Sequence, residues 1–374
     1  TIFHTREAEA MLKYLLLAAA AGVAAFSSAP KLWEEGIPNE NPHERKFITV
    51  DPDGSMCVDP YLVPRGAVPP FDEIPPTGIN GSRYYTCTAD PPPANIAYYE
   101  AGDPTSTTKI IFTHGSPSRA HIWRYFTKDI CHLGHCIMAD NVGFGDSDKP
   151  PVRYGVIDMC QYFTAYVDAV APNAEKIIFV AHDWGAMMTF DYAAKHKDKV
   201  IALTMFEGFA VGWPEVPNSI DGQYYSLVAG AEGERLVIEE NFWLNLIQLG
   251  SNRPLPQELL DIYYAPWQTE DSRWPIRQFH LDIPIGTHPA HSYNWMESNF
   301  AALRHSLELQ ILVFQKVDEN TPLTFPPDSV HAARFKSAFS KLDYVVLGAG
   351  NHFSQEDYPT LLAQTMAKHI EKFA

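Results

Sequence analysis

Basic residues are scarce in this chain. Lys and Arg number 28 against 45 Asp and Glu, giving a formal charge of −17 over 374 residues. Such a chain repels phosphate backbones, which argues against nucleic acid as a partner. Long apolar runs are also missing beyond Phe26, so no later segment can span a bilayer as a helix. No internal repeat is present. No metal-ligand pattern stands out either. His280, His288 and His291 lie close together, but in a Pro-broken stretch without helical ligand spacing, and read as surface loop. No motif calls for a cofactor. What the chain does have is 46% apolar and 13% aromatic residues, enough for a large core. The aromatic surplus also suits an apolar pocket for a small organic molecule.

Residues 1–10 precede Met11, and Met11 reads as the natural start. Lys13, the apolar run from Tyr14 to Phe26, and the small residues Ser27, Ser28 and Ala29 then form a secretory pattern. The expectation is a leader over about residues 11–29 and a secreted protein. An uncleaved anchor and a buried helix are the alternatives. Five cysteines are present: Cys57, Cys87, Cys131, Cys136 and Cys160. Cys57 and Cys87 flank a Pro-rich segment that gains from a crosslink, and Cys131 and Cys136 can close a small ring. Cys160 is then the odd thiol. Asn80-Gly81-Ser82 is a glycosylation sequon if the chain is exported from a eukaryotic cell.

Residues 30–94 are Pro-rich and poor in pattern, an irregular lead-in. From Asn95 strands and helices alternate, which predicts a mostly parallel sheet covered on both faces. Strands are expected at 95–100, 108–113, 135–140, 176–181, 199–206, 310–315 and 343–347. Helices are expected at 123–130, 157–170, after Gly185, and at 359–373. The rhythm stops at Gly208. Residues 209–300 are Trp-rich and helical in pattern, and read as a cap inserted between two core segments, 95–208 and 301–374.

In such sheets ligands bind at the carboxyl ends of the strands. His114 with Ser116, Asp183, Glu207 and His352 all fall there. Ala181-His182-Asp183-Trp184-Gly185 has the form of a nucleophile turn with Asp in place of Ser. Small flanking residues let a strand turn abruptly into a helix, and the helix N-terminus favours a negative charge. By itself this Asp is equally a helix cap. Its company decides: nucleophile, acid and His follow in the chain order of this architecture as Asp183, Glu207 and His352. A carboxylate nucleophile attacks saturated carbon and leaves an alkyl-enzyme ester. His352 then activates water while Glu207 orients its ring. The chemistry suits carbon–halogen bonds and epoxides. The indole N–H of Trp184 is a donor for the leaving group, and the backbone N–H groups of Trp184 and Ser116 form the oxyanion hole.

At these residues the chain resembles the haloalkane dehalogenases of the α/β-hydrolase fold, and also the Renilla-type coelenterazine luciferases. The resemblance covers roughly residues 70–374. It rests on His114-Gly-Ser-Pro117 with Trp123-Arg124, Asp140 to Pro150, Ile177 to Gly185, Glu207, and His352-Phe-Ser-Gln-Glu-Asp357. In the cap, Glu232 to Phe242 and Trp274-Pro275 match as well. It implies a helical cap inserted after the sixth strand and a catalytic Glu at that strand's end. Other subgroups place an Asp after the seventh strand, so Asp318 is the reserve acid. Where the family typically carries a halide-binding Asn, this chain has Ser116, with a single rotatable hydroxyl donor. The resemblance implies hydrolysis of small haloalkanes, with water and halide as the other partners. A cofactor-independent luciferase, an epoxide hydrolase using Tyr224, Tyr225, Tyr263 or Tyr264, and a non-catalytic ligand carrier are the alternatives.

Overall fold

The protein is described from a computed structural model that covers residues 33–52, 56–58, 86–88, 91–208, 210–212, 231–284, 286–287, 289–316 and 326–374. The expected leader, the sequon, Tyr224, Tyr225, His288 and Asp318 lie outside the described residues.

Eight strands form the main sheet: β1 (Lys46–Val50), β2 (Ala94–Ala101), β3 (Thr108–Thr113), β4 (His135–Ala139), β5 (Lys176–His182), β6 (Val200–Phe206), β7 (Glu308–Lys316) and β8 (Leu342–Gly350). Their order is β1-β2-β4-β3-β5-β6-β7-β8. β1 and β4 both run antiparallel to β2, and every pairing from β4 through β8 is parallel. The central strands are unbroken runs of apolar and β-branched residues because both faces of the sheet are covered. Their two-residue side-chain period splits them between two apolar layers. Ile111, Phe179, Leu203 and Ile311 face one layer, whereas Ile110, Val180, Ala202 and Leu312 face the other. The helices that supply these layers include α1 (Val156–Val170), α2 (Trp184–Lys195), α6 (Val330–Ala338) and α7 (Pro359–Ile370).

Between β6 and β7, the described residues contain α3 (Gln257–Tyr264), α4 (Trp274–Asp282), α5 (Ala290–Leu303) and several shorter helical turns. Two buried carboxylates tie this block to the core. Asp282 of α4 accepts from the Val156 N–H at the start of α1 (2.7 Å) and from Arg153 (2.9 Å). Glu356 of the core accepts from Arg124 (2.6 and 2.8 Å), from Arg253 (2.6 Å) and from Tyr263 of α3 (2.6 Å).

Three local expectations need correction. The lead-in is not irregular throughout. Lys46-Phe-Ile-Thr-Val50 pairs as edge strand β1, and its alternating exposure shows the period-two pattern that the surrounding prolines obscure. A short antiparallel ribbon, Met56–Val58 with Thr86–Thr88, puts Cys57 opposite Cys87. The expected helix at 123–130 breaks into a 3₁₀ turn at Ala120–Trp123 and one α-turn at Thr127–Ile130. Asp140 holds the first turn by accepting from the Ala120 N–H (2.7 Å), a tertiary contact that helical spacing does not reveal. His280 is no surface residue. It is buried against Trp243 at 3.7 Å between ring centroids, and bonds through Nδ1 to the Ile276 carbonyl (2.7 Å). Cys131 and Cys136 form a disulfide, and Cys160 is a buried free thiol. Among the described residues, no helix is long and apolar enough to cross a membrane.

Candidate active site

β5 ends at His182 and α2 begins at Trp184, which leaves one residue to make the turn. Asp183 does so with φ 53° and ψ −130°, a conformation that costs an L-residue about 1–3 kcal/mol. Four non-glycine residues adopt positive φ among the described residues: Tyr154, Asp183, Glu207 and Asn241. Two of the four are expected triad members, and strain of this kind gathers at functional sites. The turn needs space. A Cβ on Gly115 would lie 2.0 Å from Asp183 Oδ1, and one on Gly185 would lie 2.4 Å from the Thr113 carbonyl oxygen. Glycine at both positions lets the β3 end and the elbow touch.

Asp183 Oδ1 accepts from the Ser116 N–H at 2.7 Å, and the Trp184 N–H also bonds to the carboxylate. The two amides assigned from sequence to the oxyanion hole therefore converge on this group. Ser116 Oγ is buried with no hydrogen-bond partner among the described residues. His352 follows β8. Its Nδ1 lies 3.1 Å from Glu207 Oε2, and its Nε2 lies 3.8 Å from Asp183 Oδ2. The first distance is a hydrogen bond. The second is too long for one, so Nε2 is not locked to the carboxylate and can serve a water. Asp318 is not among the described residues. Among the described residues, Glu207 is the carboxylate hydrogen-bonded to His352.

Burial pushes the Asp183 carboxyl up to about 6, against the His352 charge and the two backbone bonds that favour its ionised form. Burial alone would lower His352, but the Glu207 hydrogen bond, with the charges of Asp183 and Glu207, raises it above the ordinary imidazole value. His114 is pulled down to about 4 by burial and stays neutral. It donates from Nδ1 to the Gly115 carbonyl (2.7 Å) and accepts the Asn141 N–H at Nε2 (2.9 Å), bracing the β3 end.

An aromatic wall leads from the elbow toward the cap. Trp184 stacks on Phe279 of α4 (4.7 Å, 19°), Phe279 stacks on Phe144 (5.3 Å, 23°), and Phe144 meets Trp267 edge-on (5.1 Å). Phe279 carries no recognisable signal in the sequence. Glu356 does, being inside the His352–Asp357 motif, but its partners come from three distant segments. Tyr263, one of the tyrosines proposed for epoxide activation, spends its hydroxyl on Glu356 instead. Among the described residues no cluster of three His, Cys, Asp or Glu side chains is arranged for a metal.

The similarity to known proteins agrees with this geometry. Residues 109–359 match the alpha/beta hydrolase fold family. A haloalkane dehalogenase of Mesorhizobium japonicum is 29% identical over 283 residues, covering 74% of this chain and 88% of the relative. The coelenterazine h 2-monooxygenase of Renilla reniformis is 29% identical over 288 residues, covering 74% and 86%. The crystal structure of a haloalkane dehalogenase from Bradyrhizobium elkani superposes with a TM-score of 0.67 at 26% identity, covering 75% of this chain and 94% of that one. The chain belongs to the alpha/beta hydrolase fold family, and its sequence and fold are similar to those of haloalkane dehalogenases.

Proposed function

We propose that the protein hydrolyses carbon–halogen bonds of small haloalkanes through an ester on Asp183. Asp183 Oδ2, the oxygen not held by the Ser116 amide, attacks the carbon. The carbon–halogen bond breaks and the halide departs toward the Trp184 indole and the Ser116 hydroxyl. Water then gives a proton to His352 Nε2 and adds to the ester carbonyl carbon. The oxygen that becomes negative is Oδ1, where the Ser116 amide already points, and the Trp184 amide bonds the same carboxylate. Collapse frees the alcohol and restores the carboxylate, and His352 returns its proton to solvent. Glu207 orients the ring and stabilises its cationic form.

The observation that carries this reading is an ionisable carboxylate at the strained elbow, with a Glu-bound histidine beside it rather than bonded to it. Replacing His352 by Phe should permit the first displacement and block the second. After exposure to a bromoalkane, the peptide containing Asp183 should gain the mass of one alkyl group. A label elsewhere, or none at all, would remove the covalent mechanism. The relationship to the Renilla enzyme supports the second reading, a coelenterazine monooxygenase. Light from coelenterazine without halide release from bromoalkanes would select it.

The run from Tyr14 to Phe26 supports delivery to the secretory pathway, where a disulfide such as Cys131–Cys136 persists. Amino-terminal sequencing of exported protein should then begin near Pro30. Recovery of the chain only inside the cell would count against export.

A further inference from the structure

We propose that His182 is a positioning residue that holds the His352 loop for the hydrolytic half of the reaction, so the idea rests on the function proposed above. His182 is the residue before Asp183, and its side chain is fully buried beneath the site. Its Nε2 lies 2.9 Å from the His352 carbonyl oxygen, so Nε2–H donates to the backbone of the base itself. Its ring touches the residues that adjoin the other two triad members. The centroid distances are 4.8 Å to Phe206, which precedes Glu207, 4.7 Å to His352, and 5.6 Å to Phe353. One side chain thus braces the ends of β5, β6 and β8 together.

The loop has other anchors. The Phe353 N–H donates to the Gly250 carbonyl (2.6 Å), and the His352 N–H to Asn351 Oδ1 (2.9 Å). The first ties the loop to Gly250 in the inserted block, and the second is made within the loop itself. His182 is the contact that links the loop to the end of β5 and, through Phe206, to the residue before Glu207. Without it, the ring of His352 is free to tilt away from a hydrogen bond that is already 3.1 Å long.

The groups facing His352 are Asp183 after β5, Glu207 after β6, and His182 itself. A second cation among them would oppose the imidazolium that forms when His352 takes a proton from water. His182 avoids this because burial holds it well below the ordinary imidazole range. Its Nδ1 is buried without a partner, so a proton there would gain no hydrogen bond among the described residues.

Two variants separate positioning from mere packing. His182→Phe keeps a ring of similar size and removes the donor, whereas His182→Gln keeps an N–H of similar reach. With a bromoalkane, His182→Phe should retain a stoichiometric burst of halide at the wild-type rate, followed by turnover slowed on the order of tenfold, a part of the ~10²–10⁴-fold that a general base contributes, because the base is loosened and not removed. His182→Gln should recover most of that turnover. Histidine NMR reads the same contact without substrate. In wild type, His352 should titrate above the ordinary imidazole value. In His182→Phe it should move down toward that value as the Glu207 contact loosens, and in His182→Gln it should not. A burst and turnover reduced in equal proportion, or a His352 titration unmoved by Phe, would overturn the proposal. So would a wild-type His182 that protonates between pH 5 and 8, a measurement that survives even if the Phe variant does not fold. Absence of any halide release from bromoalkanes by the wild type would instead sink the dehalogenase reading, while the NMR titration would still decide the role of His182.

Discussion

Asp183 can act as the proposed nucleophile only when ionised. Burial raises its folded-state value to about 6, so the ionised fraction is nearly complete at pH 8 and falls as pH drops through 6. At pH 5 the halide burst should therefore run at about one tenth of its plateau rate, by simple titration of one group. A burst rate flat down to pH 5 would show that the carboxyl is not raised. Ser116 offers a second test at this scale. Its hydroxyl, without a partner among the described residues, is short and rotatable, whereas an Asn amide would present a fixed N–H. A donor aimed at developing charge is worth about 10²–10³ in rate. Ser116→Asn should raise bromide release and strengthen quenching of Trp fluorescence by bromide. If both stay unchanged while Trp184→Phe abolishes turnover, a residue other than Ser116 supplies the second donor.

Elements are held around the site by buried charge. The side chains of Glu356 and Arg124 are both 0% exposed, and the carboxylate also serves Arg253 and Tyr263 from the cap. The three donors hold Glu356 down at about 2 despite the burial that pushes it up. Breaking such a pair strands uncompensated guanidinium charge and typically costs about 3–5 kcal/mol. Glu356→Gln should lower the unfolding free energy by about that amount in urea titrations. A loss under 1 kcal/mol would mean that water reaches the cluster. The same scale shows where sequence pattern fails. The alternation of Lys46–Val50 is genuine but only one strand long, and prolines surround it. The helical spacing of 123–130 is overruled by Asp140, which captures the turn from a neighbouring strand end.

The whole molecule is polarised along its strands. Asp183, Glu207, Ser116 and His352 all follow carboxyl ends, whereas Cys136 lies near the amino end of β4. The disulfide should then matter to stability and not to chemistry. Its ring spans a sequence separation of 5, and loop-closure entropy for so small a ring predicts about 2 kcal/mol. Replacing Cys131 and Cys136 by Ser should lower Tm and leave kcat unchanged. A fall in kcat with unchanged Tm would reverse that assignment.

The sequence by itself determined the alternation of strand and helix, the insertion after β6, and the chain order Asp183, Glu207, His352. Each of these is local. Apolar runs bury, small residues permit a sharp turn, and polar residues after a strand lie at its end. Glu207 was legible for the same reason, as a carboxylate closing seven residues of strand. Only the tertiary structure decided what those residues do to one another. The 3.1 and 3.8 Å spacings around His352, the carbonyl held by His182, and the Phe279 ring against Trp184 join segments far apart in the chain. Such contacts leave no period in the sequence. They exist because a parallel sheet brings the carboxyl ends of its strands to one edge, where distant residues become neighbours.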